Sequence, residues 1–147
     1  MKQKYWIDVI LWMAFIFVLS TDIFSSEHTA RFIVPLIRFF APSLGWPKVM
    51  KIHWLIRKCA HFAEYFVLGV LLFRAFSRKT GRILKTVLFS ILIVAAFSAS
   101  DEFHQSFTRS RGVELSDVAL DTLAGTFALI ISALLRLARG GSEPKAS

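Results

Sequence analysis

Four long apolar stretches constrain the fold of this chain more than any other feature of its sequence. Each holds roughly 18 to 21 residues, enough for a helix to cross a hydrocarbon core of about 30 Å at about 1.5 Å per residue. Lipid offers no hydrogen-bond partner to the edge of an open sheet, so helices are predicted rather than strands. The stretches run from Tyr5 to about Phe24, from about Cys59 to Phe76, from Ile83 to Ser100 and from about Asp117 to Leu137. The sequence therefore predicts an all-α integral membrane bundle of four transmembrane helices.

Composition excludes the soluble and disordered classes of protein. Hydrophobic residues make up 55% of the 147 residues, and a soluble domain of this size has too little polar surface to cover them. The same figure excludes disorder. The one cysteine, Cys59, excludes an intramolecular disulfide and a CxxC zinc site, and it is expected to be a small buried residue. We expect one transmembrane domain over residues 1–139 and a disordered cytoplasmic tail over residues 140–147.

The first apolar stretch has some features of a cleaved signal peptide. Lys2 and Lys4 precede it, as in the basic region of such a peptide. However, Trp6, Asp8 and Trp12 lie within the stretch, and no clear pair of small residues follows it as a cleavage site. We therefore expect this stretch to be retained as the first span.

The connection between the first two spans, from Ser25 to Lys58, is long for a bundle and rich in apolar residues. Pro35, Pro42 and Pro47 are expected to interrupt any helix here, and Pro47 suits the first turn of a new helix that leads into the second span. Trp46 and Trp54 are typical of the membrane–water interface. An interfacial segment is predicted, with a lid packed against the bundle as the alternative. Its apolar face is expected to carry Phe32, Ile33, Leu36, Ile37, Phe39 and Phe40.

The distribution of Lys and Arg predicts the orientation. The short connection between spans two and three carries five of them and that between spans three and four carries two, Arg109 and Arg111. The positive-inside rule then places the first of these connections and both termini in the cytoplasm, in a cell's inner (cytoplasmic) membrane. On this topology the whole formal excess of +8 lies on the inner half of the chain. Membrane lipids are therefore the expected partners, and nucleic acid is not.

The same topology brings ionisable residues from three spans to the outer membrane face. Charged groups at the hydrocarbon edge are costly unless paired or hydrated, which makes them functional candidates. The candidate acid–base groups are His61, Glu64, Asp101, Glu102, His104 and Asp117. The candidate substrate-binding groups are Arg57, Lys58, Tyr65, Gln105, Arg111 and Asp121.

Helical spacing suggests how some of these candidates face one another, and it leaves alternatives open. His61 lies three residues before Glu64 and four before Tyr65, so all three can face one way. His61 and Glu64 alone fit a buried polar pair that fixes helix packing equally well. Asp117 is also suited to cap a helix that begins after Ser116. A metal site among the histidines and carboxylates is chemically possible, but an H-x-x-E spacing is weak evidence, and no metal is assigned.

Three sequence blocks occur in an order that resembles the VanZ-like membrane proteins. They are Lys58-Cys-Ala-His61-Phe-Ala-Glu64-Tyr65, then Asp101-Glu102-Phe-His104-Gln105-Ser-Phe107, then Arg111-Gly112 with Asp117-Val-Ala-Leu-Asp121-Thr-Leu-Ala-Gly125. The resemblance covers about Arg57 to Leu135, with a compatible first span before it. Many members have Pro-Gly where this chain has Arg109-Ser110, Asn in place of Asp121, and Gly in place of Leu129. The family is named for a protein associated with teicoplanin resistance. The resemblance implies a small multi-helix membrane protein and brings no established reaction.

Three functional hypotheses follow. The outer-face residues form a site that acts on a lipid-linked cell-envelope molecule. Its acid–base groups lie beside cations that bind a phosphate or carboxylate, namely Arg57, Lys58, Arg109 and Arg111. Alternatively, the same residues bind such a molecule, or an antibiotic, without catalysis. In the third hypothesis the polar residues only hold the helices together. The sequence indicates no particular cofactor and no oligomeric state.

Overall fold

The computed structural model describes residues 3–21, 25–80, 82–105 and 115–139. These residues form five α-helices and contain no strand, which confirms the predicted all-α class. The helices are α1 (Gln3–Leu19), α2 (Ser26–Phe40), α3 (Trp46–Thr80), α4 (Ile83–Gln105) and α5 (Leu115–Ala138). The predicted tail over residues 140–147 lies outside the described residues. So do the end of the predicted first span, beyond Thr21, and the predicted loop that contains Arg109 and Arg111.

Within the described ranges, three helices are long and apolar enough to cross a membrane: α3, α4 and α5. The predicted bundle had four such helices. The remaining candidate, α1, is entirely apolar in its middle but has 17 residues, a length of about 25 Å at the rise of an α-helix. Length and composition therefore identify three spans here and leave α1 shorter than the other three.

The helix α3 is much longer than the predicted second span. It begins at Trp46 with Pro47 in its first turn, as predicted, and continues without a break through Cys59 to Thr80. Its 35 residues extend over about 50 Å, well beyond a hydrocarbon core of about 30 Å. The second half of the predicted connection is thus the N-terminal part of this helix.

The prediction that Pro35 interrupts the connection is wrong, because α2 runs from Ser26 to Phe40 with Pro35 inside it. Proline removes one backbone hydrogen bond, to the carbonyl of Arg31 one turn earlier. Both residues are exposed. Ser25 caps the N-terminus, where its hydroxyl accepts a hydrogen bond from the His28 amide. The helix ends one residue before Ala41, and Pro42 follows, as predicted for a helix terminator.

The helix α3 lies at the centre and packs against each of the other four helices. It runs parallel to α5, since Lys58 meets Asp117 near the start of α5 and Phe73, later in α3, packs with Leu129, later in α5. It runs antiparallel to α1, since the Trp12 indole meets the Glu64 carbonyl and Trp6 packs edge-on against Phe76. This arrangement fixes which helix ends meet.

Two glycines bring three helices into close contact. A methyl group on Gly69 would lie 2.5 Å from the carbonyl oxygen of Gly125, and one on Gly125 would lie 2.6 Å from Cγ1 of Val94. Small residues allow membrane helices to approach one another closely in this way. Leu129, in place of the family's frequent second glycine, is fully buried and fills the space beside Phe73 and Ala133.

The two ends of the bundle differ in chemistry. At one end, Arg74 and Arg78 of α3 lie over the ring of Tyr5 in α1, at 5.6 and 5.5 Å. At the other end lie the C-termini of α1 and α4, the first turns of α5 and the part of α3 around His61. We call these the Arg74 end and the Asp101 end.

Candidate functional site

Four helices deliver polar side chains to the Asp101 end. The Phe17 ring of α1 packs against the His104 ring of α4 at 4.3 Å, and the Trp12 indole donates a 2.9 Å hydrogen bond to the backbone oxygen of Glu64. These contacts align α1 and α4 with the middle of α3. The side chains that then meet, here called the polar cluster, are Lys58, His61, Tyr65, Ser98, Asp101, Gln105, Asp117 and Asp121.

Two contacts join α3 to α5 within the polar cluster. The Lys58 ammonium pairs with the Asp117 carboxylate, and it also lies 5.5 Å from the centre of the Trp54 ring. One helical turn further, Nδ1 of His61 lies 3.8 Å from Oδ1 of Asp121. Asp117 is the third residue of α5, so it lies inside the first turn and not at the capping position. Its negative charge is favourable there because the N-terminus of a helix carries partial positive charge.

The helix α4 contributes the most deeply buried part of the polar cluster. Oδ2 of Asp101 accepts hydrogen bonds from the Tyr65 hydroxyl at 3.4 Å and from the Gln105 amide at 3.1 Å. The same Gln105 amide donates to the Ser20 hydroxyl at 3.3 Å, which joins the end of α1 to the network. The Ser98 hydroxyl donates to Oδ2 of Asp121 at 3.1 Å and so joins α4 to α5.

Each of the two buried aspartates is anchored through one oxygen only. Asp101 and Asp121 are both 3% exposed, and the Oδ1 atom of each is buried with no hydrogen-bond partner in the described part of the chain. Nδ1 of His61 is buried and unpartnered in the same sense. Nearly all buried polar atoms in proteins have a partner, because leaving one without costs free energy. Three such atoms in one cluster identify this part of the Asp101 end as the strongest candidate for ligand contact.

Three predicted site residues have neighbours other than the expected ones. His61 meets Asp121 of α5, whereas the backbone oxygen of Glu64 meets Trp12 of α1. Glu64 is half-buried beside α1. Arg57 donates a 3.1 Å hydrogen bond to the hydroxyl of Thr29 in α2, which Nε2 of His53 also meets at 3.2 Å. Arg57 therefore lies in the contact between α2 and α3, adjacent to the polar cluster and not within it.

The other predicted site residues are placed as follows. Glu102 is buried beside Asp101, and successive side chains on a helix point about 100° apart, so the two carboxylates face different neighbours. His104 is half-buried against Phe17, and its Nδ1 is buried without a hydrogen-bond partner in the described ranges. Arg111, predicted to bind substrate, lies outside the described residues. Cys59 is exposed, contrary to expectation, because it lies on the side of α3 opposite the packed helices.

No three His, Cys, Asp or Glu side chains of residues 3–21, 25–80, 82–105 and 115–139 are arranged to hold a metal ion. The chemistry available in the polar cluster is that of one imidazole, several carboxylates and one ammonium. Such groups bind hydrogen-bond donors and exchange protons with a bound molecule.

Two residues of the polar network had no role predicted from sequence. Ser98 precedes Asp101 by three residues and lies on the same face of α4, a spacing that would have identified it. Ser20 gives no comparable signal, because nothing in its local sequence indicates that the end of α1 meets the end of α4.

Comparison with known proteins identifies the family of the chain. The family model described as VanZ/LLP1 matches residues 5–136, which include all five helices except their outermost residues and every described residue of the polar cluster. No curated protein and no solved structure is detectably similar to the chain. Because the match covers most of the sequence, the chain belongs to the VanZ/LLP1 family.

Proposed function

We propose that this VanZ-family membrane protein binds the polar headgroup of a lipid-linked cell-envelope molecule in its polar cluster and acts on it there. The observation that carries the proposal is the set of three buried, unpartnered polar atoms of His61, Asp101 and Asp121 at one end of an apolar bundle. Polar residues that only hold helices together are expected to pair with one another and to leave no such atoms without a hydrogen-bond partner. At the edge of a membrane, the molecule that meets such groups most readily is the headgroup of a lipid.

In this proposal α1 is the fourth span and the Asp101 end faces outward. The antiparallel packing of α1 on α3 supports it, because Tyr5 and Arg78 then share the cytoplasmic end. Further described basic residues near that end, among them Lys4, Arg82, Lys85 and Arg139, give it the positive charge typical of a cytoplasmic face. Both termini are then cytoplasmic, in the inner membrane.

In the same proposal α2 lies in the outer interface. Its exposed side carries large apolar residues, of which Phe32 and Phe39 are each 79% exposed, while Arg31 and Arg38 project from another side. An amphipathic helix of this kind rests with its apolar side in the acyl region and its charges in the headgroup region. It would border the route by which a lipid headgroup reaches the polar cluster from the membrane.

Cysteine labelling tests this topology. In a Cys59→Ser background, single cysteines are introduced at two exposed positions, Ser116 near the Asp101 end and Ala138 near the Arg74 end. We expect a membrane-impermeant maleimide to label Ser116→Cys in intact cells, and Ala138→Cys only after the membrane is opened. Labelling of both positions from the same side would contradict the topology and the proposed outer site together.

Functional substitution tests the role of the polar cluster. The wild-type protein and the His61→Ala and Asp101→Asn variants are produced in a teicoplanin-sensitive host, and susceptibility and protein abundance are measured together. We expect both variants to lose the effect of the wild-type protein at normal abundance. Ser90→Ala, a buried substitution on α4 remote from the cluster, is the matched control and should retain the effect. Unchanged susceptibility in both variants would refute the proposal.

Catalysis and binding without catalysis differ in what the purified protein does. The reaction to examine is hydrolysis or transfer at a lipid-linked phosphate, with the carboxylates and His61 as acid and base groups. Product formation that Asp101→Asn abolishes would establish catalysis. Binding of the lipid with no product would establish the binding role.

A purely structural role is the second candidate, and particular hydrogen bonds favour it. Ser98 ties α4 to α5 through Asp121, and Gln105 ties α4 to α1 through Ser20. If these bonds are the whole purpose of the cluster, variants lose abundance and function in parallel. Normal abundance with lost function would exclude this role.

A further inference from the structure

We infer that His61, Asp101 and Asp121 bind a primary ammonium group of the lipid headgroup. This inference rests on the proposed function for the position of the cluster at the membrane surface. It adds the chemical class of the ligand, which neither the family nor the proposed function supplies.

The first step is the kind of atom that is available. Asp121 receives the Ser98 hydrogen bond on Oδ2, and Asp101 receives those of Tyr65 and Gln105 on its own Oδ2. Both Oδ1 atoms are buried and unpartnered within the described residues, and carboxylate oxygens only accept hydrogen bonds. The matching group on a ligand must therefore donate, and the phosphate oxygens of a lipid do not.

The third atom is Nδ1 of His61. It lies 3.8 Å from Oδ1 of Asp121, too far for a direct hydrogen bond but close enough for one donor group to lie between them. With the ring proton on Nε2, this nitrogen is an acceptor as well. Three acceptors then match the three N–H bonds of a primary ammonium in number.

Charge favours an ammonium over an uncharged donor. Asp101 and Asp121 are almost fully buried, each with 3% of its surface exposed. The nearest lysine in the cluster, Lys58, pairs with Asp117 at its more exposed edge. A cation in the interior would offset the cost of burying two carboxylates, which a sugar hydroxyl cannot do. A phosphate attached to that cation would lie toward Lys58.

The test compares phospholipids that differ only in the headgroup. The full-length protein in detergent is titrated with short-chain phosphatidylethanolamine, phosphatidylcholine and phosphatidylglycerol of one chain length, and binding is quantified by native mass spectrometry. The choline headgroup keeps the positive charge but has no N–H, and glycerol keeps hydrogen-bond donors without the charge. We expect the ethanolamine lipid to bind about tenfold more tightly than either, as the loss of hydrogen bonds to charged groups predicts.

Variants then assign the preference to the cluster. Asp121→Asn keeps the shape and the acceptor for Ser98 but removes the charge, and should abolish the preference for ethanolamine. Asp101→Asn is an independent second variant, in case the first unfolds in detergent. Ser90→Ala should keep the preference.

Two results would overturn the inference. Equal binding of the ethanolamine and choline lipids would mean that N–H donors are not selected, as expected if the acceptors are filled from within the chain. Glycerol binding as tightly as ethanolamine would mean that hydroxyl groups, not an ammonium, are recognised. In either case, loss of the teicoplanin effect in His61→Ala at normal abundance would still support the proposed function. Selective ethanolamine binding with an unchanged teicoplanin effect in the variants would support the inference about the ammonium group and refute the proposed function.

Discussion

Ser98 and Ser90 lie on the same buried face of α4, yet their hydroxyl groups have different surroundings. The Ser98 hydroxyl bonds Asp121, whereas the Ser90 hydroxyl is buried with no partner in the described residues. Hydrogen bonds between helices in membranes contribute modestly, on average about 0.6 kcal/mol. The contribution is larger when the acceptor is charged, because an unpaired buried carboxylate is costly.

The two serines therefore form a matched pair. We expect Ser98→Ala to lower the free energy of unfolding by about 1 kcal/mol. We expect Ser90→Ala to leave that free energy unchanged or to raise it, since a buried unpartnered hydroxyl is replaced by a methyl group. Reversible unfolding in mixed micelles, followed by circular dichroism, measures both. An equal loss in the two variants would show that the bond to Asp121 contributes nothing.

At the scale of the helices, the close contact of α3, α4 and α5 depends on two glycines, Gly69 and Gly125, which have no side chain. The atom closest to a methyl group on Gly69 would be the backbone oxygen of Gly125, which cannot move without displacing α5. The atom closest to a methyl group on Gly125 would be the end of the Val94 side chain. Overpacking of this kind costs about 1 to 3 kcal/mol, and less where a side chain can be shortened.

Three substitutions separate these contacts. Gly69→Ala and Gly125→Ala are each expected to lower the melting temperature in detergent. Adding Val94→Ala should restore much of the loss in Gly125→Ala and none of that in Gly69→Ala. Gly45→Ala is the control, because the closest atom to its added methyl group would be 3.9 Å away. Rescue of Gly69→Ala by Val94→Ala would contradict the helix packing described here.

The helices also show what local sequence predicts and what it does not. Apolar length predicted the positions of α4 and α5, and Pro47 predicted the start of a helix within two residues. These signals are local, because the length of an apolar stretch and the position of a proline each determine the backbone of one segment. Partners across helices are not local: His61 was expected near Glu64 and meets Asp121, and Gly69 carries no signal until α5 is placed beside it. Pro35 was expected to interrupt a helix, but α2 continues through it, because packing of α2 on α3 outweighs the loss of one hydrogen bond.

For the whole molecule, the proposed orientation in the membrane depends most directly on where the Lys and Arg residues lie. Of the 18 Lys and Arg residues, five lie in or beside the short connection that follows α3. Arg82 and Lys85 are exposed there, so replacing them disturbs no packing. Lys48 and Lys51 are exposed in the N-terminal part of α3, at the opposite end of that helix. Two pairs of equal charge thus lie on sides that the proposal predicts to be opposite.

Neutralising each pair tests the orientation of the molecule. Arg82→Gln with Lys85→Gln lowers the positive charge of the side predicted to be cytoplasmic, so part of the population should insert inverted. Lys48→Gln with Lys51→Gln makes the same change in net charge on the side predicted to be outer, and should leave the orientation unchanged or more uniform. Maleimide labelling of Ser116→Cys in intact cells, in the Cys59→Ser background, measures the correctly oriented fraction. Little labelling before the charges are changed, with a rise in the Lys48/Lys51 variant alone, would mean that the Asp101 end faces the cytoplasm, and the lipid headgroup bound there would have to come from the inner leaflet.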